Sequence, residues 1–341
     1  MRGIVFLGDR TVELREFADP TPGPGEVVIA VGASGMCGSD LHYYRGDPPA
    51  DGAQVCIGGH EPAGTVVAAG PGVLPTQVAV GDRVMIHHYA GCGTCRSCRS
   101  GWTQMCTRMK ALVYGKNAHG AHAPFMKVAA ASALPLPDAM SFEAAAAIGC
   151  GTGTAWGALE RLGDIGGADV VVFGQGPVGQ SVTLLAGARG ARVIAVDPSA
   201  DRRDQALKLG AAETIDPTAD DPVAQIRALT GGTGPQAAVE TAGASPAAAA
   251  ALAVLAPWGK LCLVGLGGAL SIDVRAQLSR QLTVMTSWSL SSVQQIACAD
   301  FIVDHQLPVD DLFTDRWTLD RAVEAYQDFD KQQSGKGAFV F

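Results

Sequence analysis

One segment constrains the fold of this 341-residue chain more than any other. Residues 170–179 read Val-Val-Val-Phe-Gly-Gln-Gly-Pro-Val-Gly, an apolar run that ends in the pattern G-x-G-x-x-G. The run predicts a buried strand, and the pattern predicts a tight turn into a helix. In such a segment Gly174 permits the turn, Gly176 lets a pyrophosphate approach the backbone, and Gly179 allows the helix to pack closely on the sheet. The segment therefore predicts a site for the phosphates of a dinucleotide.

A second apolar run, residues 191–196, follows the predicted helix and leads into Asp197. An acid at this place bonds the ribose hydroxyls and repels a 2′-phosphate, so it favours NAD over NADP. Backbone N–H groups at the start of the helix, around Gly176 and Val178 on either side of Pro177, would hold the phosphates. The alternative for Asp197 is a solvated carboxylate at the end of a strand.

The pattern around this segment divides the chain into two domains. Strand-like and helix-like runs alternate in its second half, and the apolar runs 237–241 and 261–265 have the character of buried strands. This alternation predicts an α/β fold with a doubly wound parallel sheet, a Rossmann domain, over residues 147–287. Residues 1–146 instead contain short β-like runs broken by Gly and Pro, which predict a barrel-like β domain. The tail, residues 288–341, combines amphipathic helices with a last apolar strand.

Four cysteines form a specific cluster in the first domain. Cys92, Cys95, Cys98 and Cys106 follow the spacing C-x2-C-x2-C-x7-C within a lobe at residues 91–107. Two-residue gaps let a tight turn present successive sulfurs to one point, as a tetrahedral zinc requires. Buried free thiols and an iron–sulfur cluster are the alternatives. Because four cysteines leave no open position for a substrate, the predicted zinc is structural.

Other metal-binding residues are dispersed along the chain beside glycines. Cys37, His60 and Cys150 would supply two thiolates and one imidazole to a catalytic zinc, which keeps a fourth position for water or substrate. Asp40 could accept a hydrogen bond from His60 and so determine which ring nitrogen faces the metal. Spacing alone does not show that residues so far apart converge, and a histidine beside glycine is commonly a turn or core residue.

Composition argues against several other classes of protein. Hydrophobic residues make up 48% of the chain and charged residues 17%, as in folded globular proteins. The net charge is −8 and no basic block is present, so nucleic acid and anionic membranes are poor partners. The longest alanine-rich apolar run, residues 247–256, is too short to span a bilayer. The N-terminal residues lack the pattern of a signal peptide, which predicts a cytoplasmic protein whose cysteines are thiols or metal ligands.

Together these motifs resemble those of the zinc-dependent alcohol dehydrogenases in the medium-chain dehydrogenase/reductase family. The resemblance spans nearly the whole chain and rests on residues 37–40, residues 59–61, the four-cysteine lobe, residues 150–154 and the G-x-G-x-x-G segment with Asp197. It implies a β-rich, GroES-like catalytic domain over residues 1–146 and 288–341, beside the Rossmann domain.

The resemblance also implies roles for individual residues. Cys37, His60 and Cys150 would bind a catalytic zinc, and Glu61 would be a carboxylate near the metal, able to enter its coordination sphere. Ser39 would bond the substrate hydroxyl, and His42 would pass the proton to solvent by way of the nicotinamide ribose. Further matched positions contact the cofactor, namely Thr154, Val178 and Val264 at the nicotinamide and Arg202 at the adenosine ribose.

Two features of the sequence are similar to different branches of that family. The segment 38–44 is more similar to polyol and threonine dehydrogenases, whereas Cys150 is more similar to the alcohol branch. The C-terminal segment 335–339 lacks the arginine that some relatives use on the pyrophosphate. His88 and Tyr44 are candidate walls of a substrate pocket. The branch and the substrate therefore stay open.

The predicted reaction is the reversible oxidation of a primary or secondary alcohol to an aldehyde or ketone, with hydride transfer to NAD. Zinc would act as a Lewis acid on a small-molecule substrate held in the cleft between the two domains. The alternatives are a polyol or 3-hydroxy-amino-acid dehydrogenase, a zinc-free quinone or enoyl reductase, and an NAD-binding protein without activity. In the family the outer strand of the cofactor sheet pairs with its twin, so a homo-oligomer is expected, a tetramer before a dimer.

Overall fold

The computed structural model describes residues 1–50, 55–332 and 335–341. Two compact units make up the chain: unit 1 is Met1–Gly153 with Leu290–Phe341, and unit 2 is Thr154–Ser289. Both borders of unit 2 lie later in the chain than the bounds expected from the sequence. Within the described ranges, no helix has both the length and the apolar character needed to cross a bilayer.

Unit 1 is rich in strands, whereas strands and helices alternate in unit 2. The strands are β1 (Arg2–Gly8), β2 (Thr11–Glu16), β3 (Glu26–Gly35), β4 (Glu61–Ala69), β5 (Arg83–Ile86), β6 (Tyr89–Ala90), β7 (Leu112–Val113), β8 (Phe125–Ala129), β9 (Ala133–Pro135), β10 (Asp169–Phe173), β11 (Arg192–Val196), β12 (Glu213–Ile215), β13 (Ala237–Glu240), β14 (Lys260–Leu263), β15 (Thr283–Thr286), β16 (Phe313–Trp317) and β17 (Lys336–Val340). The α-helices are α1 (Asp40–Arg45), α2 (Arg96–Arg99), α3 (Phe142–Ile148), α4 (Gly151–Leu162), α5 (Pro177–Ala188), α6 (Ala200–Lys208), α7 (Pro222–Leu229), α8 (Ser245–Val254), α9 (Val274–Gln277), α10 (Ser292–Asp304) and α11 (Ala322–Asp330). Short 3₁₀ helices occupy Thr103–Met105, Ala130–Ser132, Leu278–Arg280, Val309–Leu312 and Leu319–Arg321.

Unit 1 is built on a seven-stranded sheet in the order β16-β17-β3-β4-β5-β9, with β8 also paired to β3. Strands β3 and β4 approach each other closely, because a Cβ on Gly64 would lie 2.0 Å from the carbonyl oxygen of Ala30. At the end of β3, Gly35 pairs with Glu61 on one side and with Ala338 of β17 on the other. The start of β4 and the C-terminal strand therefore flank the residues that follow β3.

A buried apolar cluster in unit 1 lies against the helix that carries Asp40. Leu41 and Tyr44 of α1 pack in it with Phe6 of β1 and with Tyr326 of α11. The C-terminal segment is thus part of the core on which α1 rests.

Unit 2 contains a six-stranded sheet in the order β12-β11-β10-β13-β14-β15, and every neighbouring pair is parallel. The chain moves outward from β10 to β12 and then returns to the other side of β10 with β13. This reversal is the switch point at which open α/β sheets bind ligands, beyond the carboxyl ends of the strands. Phe173 lies opposite Val196, so Gly174 and Asp197 leave the sheet side by side. The predicted doubly wound parallel sheet is present.

Helix starts follow ordinary capping chemistry. Helix α5 begins with Pro177 directly after Gly176, where the missing N–H of proline has no cost. Ser199 caps α6 by accepting from the backbone N–H of Arg202. At α10, Ser291 and Gln294 form a capping box that satisfies two backbone N–H groups.

Candidate active site

Three segments of unit 1 bring four ligands together. Cys37 follows β3, His60 and Glu61 stand at the start of β4, and Cys150 lies between α3 and α4. Their ligand atoms all lie within 4.8 Å of one another. The pairing of Gly35 with Glu61 accounts for part of this convergence, because it aligns the end of β3 with the start of β4.

This group of ligands fits a zinc ion. The Sγ atoms of Cys37 and Cys150 are 3.9 Å apart, and two sulfurs bound tetrahedrally at about 2.3 Å would be separated by about 3.8 Å. The Oε1 atom of Glu61 is buried and has no hydrogen-bond partner among the described residues. An imidazole, two sulfurs and an unpartnered carboxylate oxygen around one point form a donor set that zinc prefers.

Asp40 orients the imidazole of this cluster. Its Oδ1 lies 3.0 Å from Nδ1 of His60, and its Oδ2 accepts from the backbone N–H of Cys37 at 2.9 Å. Because Nδ1 of His60 donates to the carboxylate, Nε2 is the nitrogen that would face a metal bound in the cluster. The hydroxyl oxygen of Ser39 is 3.3 Å from that Nε2 and 3.3 Å from the sulfur of Cys37. His42 is exposed on α1.

Burial and neighbouring groups shift the pKa values of the acidic side chains in the cluster. Burial raises the pKa of Glu61 to about 8, against the attraction of Lys336. Lys336 is 1% exposed, forms an ion pair with Glu61, and donates to the carbonyl oxygen of Met36 at 3.2 Å. The side-chain hydrogen bond with Cys150 lowers the pKa of Cys37. A thiolate is the form of cysteine that binds a metal.

Lys336 was not predicted to be a member of this cluster. The only signal was a charged residue at the start of an otherwise apolar terminal strand. A buried lysine is rare unless it is paired, so that position required a carboxylate partner which the sequence alone does not identify.

The four-cysteine lobe forms a second cluster. The sulfurs of Cys92, Cys95, Cys98 and Cys106 lie within 4.8 Å of one another. Backbone N–H groups point at them, from Cys95 to the sulfur of Cys92 at 3.3 Å and from Cys98 to the sulfur of Cys95 at 3.5 Å. The hydrogen bond from Cys98 lowers the pKa of Cys95 to about 5. Hydrogen bonds thus favour the thiolate at Cys95, whereas burial raises the pKa of Cys98 to about 12, and the four sulfurs have the spacing of a tetrahedral metal site.

The glycines of the G-x-G-x-x-G segment differ in what surrounds them. Gly174 has a φ of +88°, and a Cβ on Gly179 would lie 1.8 Å from the carbonyl oxygen of Gly174. A Cβ on Gly176 would have no heavy atom within 4 Å. Gly174 and Gly179 are thus required by the turn and by packing, whereas Gly176 leaves an open cradle at the start of α5. Such a cradle fits a pyrophosphate group.

Asp197 is held at the same edge of the sheet. It is 4% exposed and accepts from the backbone N–H groups of Gln175 at 2.7 Å and Ser199 at 2.8 Å. Arg202 is half-buried in the first turn of α6, and its Nε has no hydrogen-bond partner among the described residues. This arrangement fits the binding of a ribose beside the phosphates.

The other residues predicted to contact the cofactor lie in unit 2. Val178 is half-buried in the first turn of α5, and Val264 follows β14 with its N–H bonded to the carbonyl oxygen of Glu240 at 2.8 Å. Thr154 is in α4 and begins unit 2.

The two candidate pocket walls have different surroundings. The His88 ring is buried 5.2 Å from the His60 ring, and its Nδ1 lies 2.8 Å from the carbonyl oxygen of Gly149. Tyr44 is buried in the apolar cluster beneath α1. His88 therefore neighbours the candidate ligand His60, whereas Tyr44 is a core residue.

Comparisons with known proteins agree with this geometry. Residues 23–138 match the model of the alcohol dehydrogenase GroES-like domain, and residues 177–303 match that of the zinc-binding dehydrogenase family. The chain is 36% identical over 345 residues to the uncharacterized zinc-type alcohol dehydrogenase-like protein YphC of Escherichia coli (strain K12), covering 98% of this chain and 97% of that one. It is 36% identical over 274 residues to L-threonine 3-dehydrogenase of Pyrococcus abyssi (strain GE5 / Orsay), covering 76% and 74%.

A solved structure extends the match to the whole fold. The alcohol dehydrogenase TADH from Thermus sp. ATN1 superposes with a TM-score of 0.90 at 29% identity, covering 100% of both chains. The predicted fold class, a GroES-like β-rich domain with a doubly wound parallel sheet, is confirmed. The chain belongs to the zinc-dependent alcohol dehydrogenases of the medium-chain dehydrogenase/reductase family.

Proposed function

We propose that the chain is an NAD-dependent zinc alcohol dehydrogenase that reversibly oxidises a primary or secondary alcohol to an aldehyde or ketone. The observation that carries this proposal is the convergence of Cys37, His60, Glu61 and Cys150 within 4.8 Å. With Cys37, His60 and Cys150 as the three protein ligands, a fourth position that Glu61 could exchange with water or substrate matches a catalytic zinc site. Two zinc ions per chain are proposed, the second in the four-cysteine lobe.

The residues around the cluster have distinct proposed roles. A zinc ion held by Cys37, His60 and Cys150 would supply Lewis acidity that lowers the pKa of an alcohol. Ser39 would bond the substrate hydroxyl, a role supported by the 3.3 Å between its own hydroxyl and Nε2 of His60. His42 would release the proton to solvent, a role supported by its exposure on the same helix as Asp40.

NAD is the proposed cofactor because Asp197 is fixed beside the open cradle at Gly176. Its carboxylate is held by two backbone N–H groups, so it cannot turn away from an incoming 2′-phosphate without losing both bonds. A negative charge fixed in this way favours the ribose hydroxyls of NAD. Arg202, Thr154, Val178 and Val264 are proposed to complete the cofactor site.

A 3-hydroxy-amino-acid or polyol substrate is the second candidate. One relative at 36% identity is an L-threonine 3-dehydrogenase, and the segment 38–44 is similar to that branch. A zinc-free quinone or enoyl reductase would not need the three ligands together.

The deciding experiment measures NADH formation by zinc-loaded protein with primary alcohols, secondary alcohols, vicinal diols, sugar alcohols and L-threonine, and the reverse reaction with the matching carbonyl compounds. We expect turnover with one class, two zinc ions per chain, and loss of both turnover and one zinc ion in Cys37→Ser. Cys262→Ser is the matched control, because Cys262 is a buried free thiol in β14 outside both clusters. Absence of turnover in both directions would refute the proposed enzyme activity. Only one zinc ion in the wild-type chain would favour the zinc-free reductase.

A homo-oligomer, a tetramer before a dimer, is also proposed. Strand β15 is at the edge of its sheet, and the surface around it is unusually apolar, with Trp258 73% exposed, Leu278 66% and Val274 65%. An apolar surface beside a strand edge is suited to pairing with a second copy. None of the nine cysteines is in a disulfide, which supports a proposed cytoplasmic location because that compartment is reducing.

A further inference from the structure

A buried row of polar side chains extends from the metal ligand His60 into the core of unit 1. Beyond Asp40, the hydroxyl of Tyr326 lies 3.4 Å from the second carboxylate oxygen of Asp40 and 2.7 Å from Nε2 of His122. Nδ1 of His122 is in turn 2.8 Å from the hydroxyl of Ser34. Asp40 is 1% exposed, and Tyr326, His122 and Ser34 are fully buried.

The members of this row come from separate parts of unit 1. Ser34 is on β3, His122 lies between β7 and β8, and Tyr326 is on α11 in the C-terminal segment. Four buried polar groups from distant segments are costly unless each has a partner. Their alignment with a metal ligand therefore requires a physical explanation.

Only one choice of donors and acceptors gives every group in the row a hydrogen bond. Burial lowers the pKa of His122 to about 4, so its ring is neutral at pH 7 and carries a single N–H. If Tyr326 donated to His122, the hydroxyl oxygen of Tyr326 and a carboxylate oxygen of Asp40 would face each other at 3.4 Å without a proton between them. In the opposite direction Ser34 donates to His122, His122 donates to Tyr326, and Tyr326 donates to Asp40.

The second arrangement satisfies every group in the row. The carboxylate of Asp40 then accepts from Nδ1–H of His60, from the backbone N–H of Cys37 and from the hydroxyl of Tyr326. A carboxylate held by three donors has little freedom to rotate, and the imidazole bonded to it has equally little. Groups that orient a metal-binding histidine in this way strengthen metal binding.

We propose that Tyr326, oriented by His122 and Ser34, is a positioning residue that holds the Asp40–His60 pair and slows the loss of zinc from the Cys37–His60–Cys150 site. This inference rests on the proposed function, which assigns zinc to that site. Tyr326 touches neither the metal ligands nor a substrate in this role, and it acts through Asp40.

The experiment follows the transfer of zinc from the loaded full-length protein to a chromogenic chelator. The two sites should release zinc in two phases, and the phase missing in Cys37→Ser belongs to the His60 site. Tyr326→Phe keeps the ring and removes the donor, so we expect release in that phase to be about three- to tenfold faster. Release from the four-cysteine lobe should not change. Ser34→Ala should accelerate the same phase, which tests the row from its other end with a smaller change.

A double variant separates positioning from packing. If Ser34 acts through Tyr326, Ser34→Ala adds nothing in the Tyr326→Phe background, whereas independent packing effects would multiply. Tyr114→Phe is the matched control, because Tyr114 is also buried and its hydroxyl also makes a hydrogen bond, with the backbone N–H of Ala129 at 2.8 Å. Unchanged or slower zinc release in Tyr326→Phe would overturn the inference, and so would multiplying effects in the double variant. The proposed function would still stand if the wild-type chain bound two zinc ions. One zinc ion in the wild-type chain would overturn both.

Discussion

Two glycines in one turn should respond differently to the same substitution. A Cβ on Gly176 meets no heavy atom within 4 Å, and the residue has a φ of −69° that alanine adopts readily. Gly176→Ala should therefore change the free energy of unfolding by less than about 1 kcal/mol. The added methyl group would instead occupy the cradle in which we place the pyrophosphate of NAD.

The cost should appear in cofactor binding. Forcing a methyl group into a close contact costs about 1–3 kcal/mol, which corresponds to about 5- to 150-fold weaker binding of NAD. Gly179→Ala is the opposite case, because its Cβ would lie 1.8 Å from the carbonyl oxygen of Gly174 and 2.9 Å from Oγ1 of Thr241. Helix α5 would have to move off β10 by about 1 Å or more, so we expect a loss of about 3 kcal/mol in stability.

Both effects can be measured on the same preparations. Titration calorimetry gives the affinity for NAD, and urea unfolding gives the stability of each variant. If Gly176→Ala bound NAD as tightly as the wild type, the cradle would not be the pyrophosphate site. If Gly179→Ala were as stable as the wild type, the argument from close packing of α5 on the sheet would be wrong.

Three further substitutions test the rest of the argument. Asp197→Ala should lower the preference for NAD over NADP by about tenfold or more, because hydrogen bonds to a charged group are lost; an unchanged ratio of affinities would refute its role. Cys98→Ser should remove one zinc ion per chain and lower the melting temperature, since structural zinc contributes directly to folding; full zinc content with an unchanged melting temperature would contradict this. Lys336→Met should cost up to about 3–5 kcal/mol in the free energy of unfolding, and the loss should grow as the pH rises through about 8, the pKa of Glu61, because above it Glu61 is an unpaired buried carboxylate that must take up a proton. Adding Glu61→Gln should recover most of that loss, and equal losses in the single and double variants would show that the ion pair is not the cause.

The strand–turn–helix segment proposed to bind the cofactor was predictable because it is local. The strand, the turn at Gly174 and the helix start at Pro177 follow one another in the chain, so composition and spacing describe them fully. The short strand β12 escaped prediction. It is three residues long at one edge of the sheet, and so few residues show no clear periodicity.

The metal cluster could be predicted only in part. The residues of the four-cysteine lobe are close in sequence, and their spacing alone indicates a metal. Cys37 and Cys150 are instead separated by 113 positions, and they meet because of the register between β3 and β4 and the placement of α3. Register depends on long-range pairing, which no local pattern contains. The family resemblance indicated which residues are candidate ligands, and the structure brings their ligand atoms within 4.8 Å of one another.

The least predictable residues are those that stabilise the two carboxylates beside the metal ligands. Glu61 pairs with Lys336, and Asp40 accepts from Tyr326. Both partners come from the C-terminal segment Leu290–Phe341, which returns to unit 1 after unit 2 is complete. A buried carboxylate without such a partner is unstable in its charged form. The ligands of β3 and β4 therefore acquire their final electrostatic surroundings only when this segment has packed against them, although no residue of the segment is itself a ligand in the cluster.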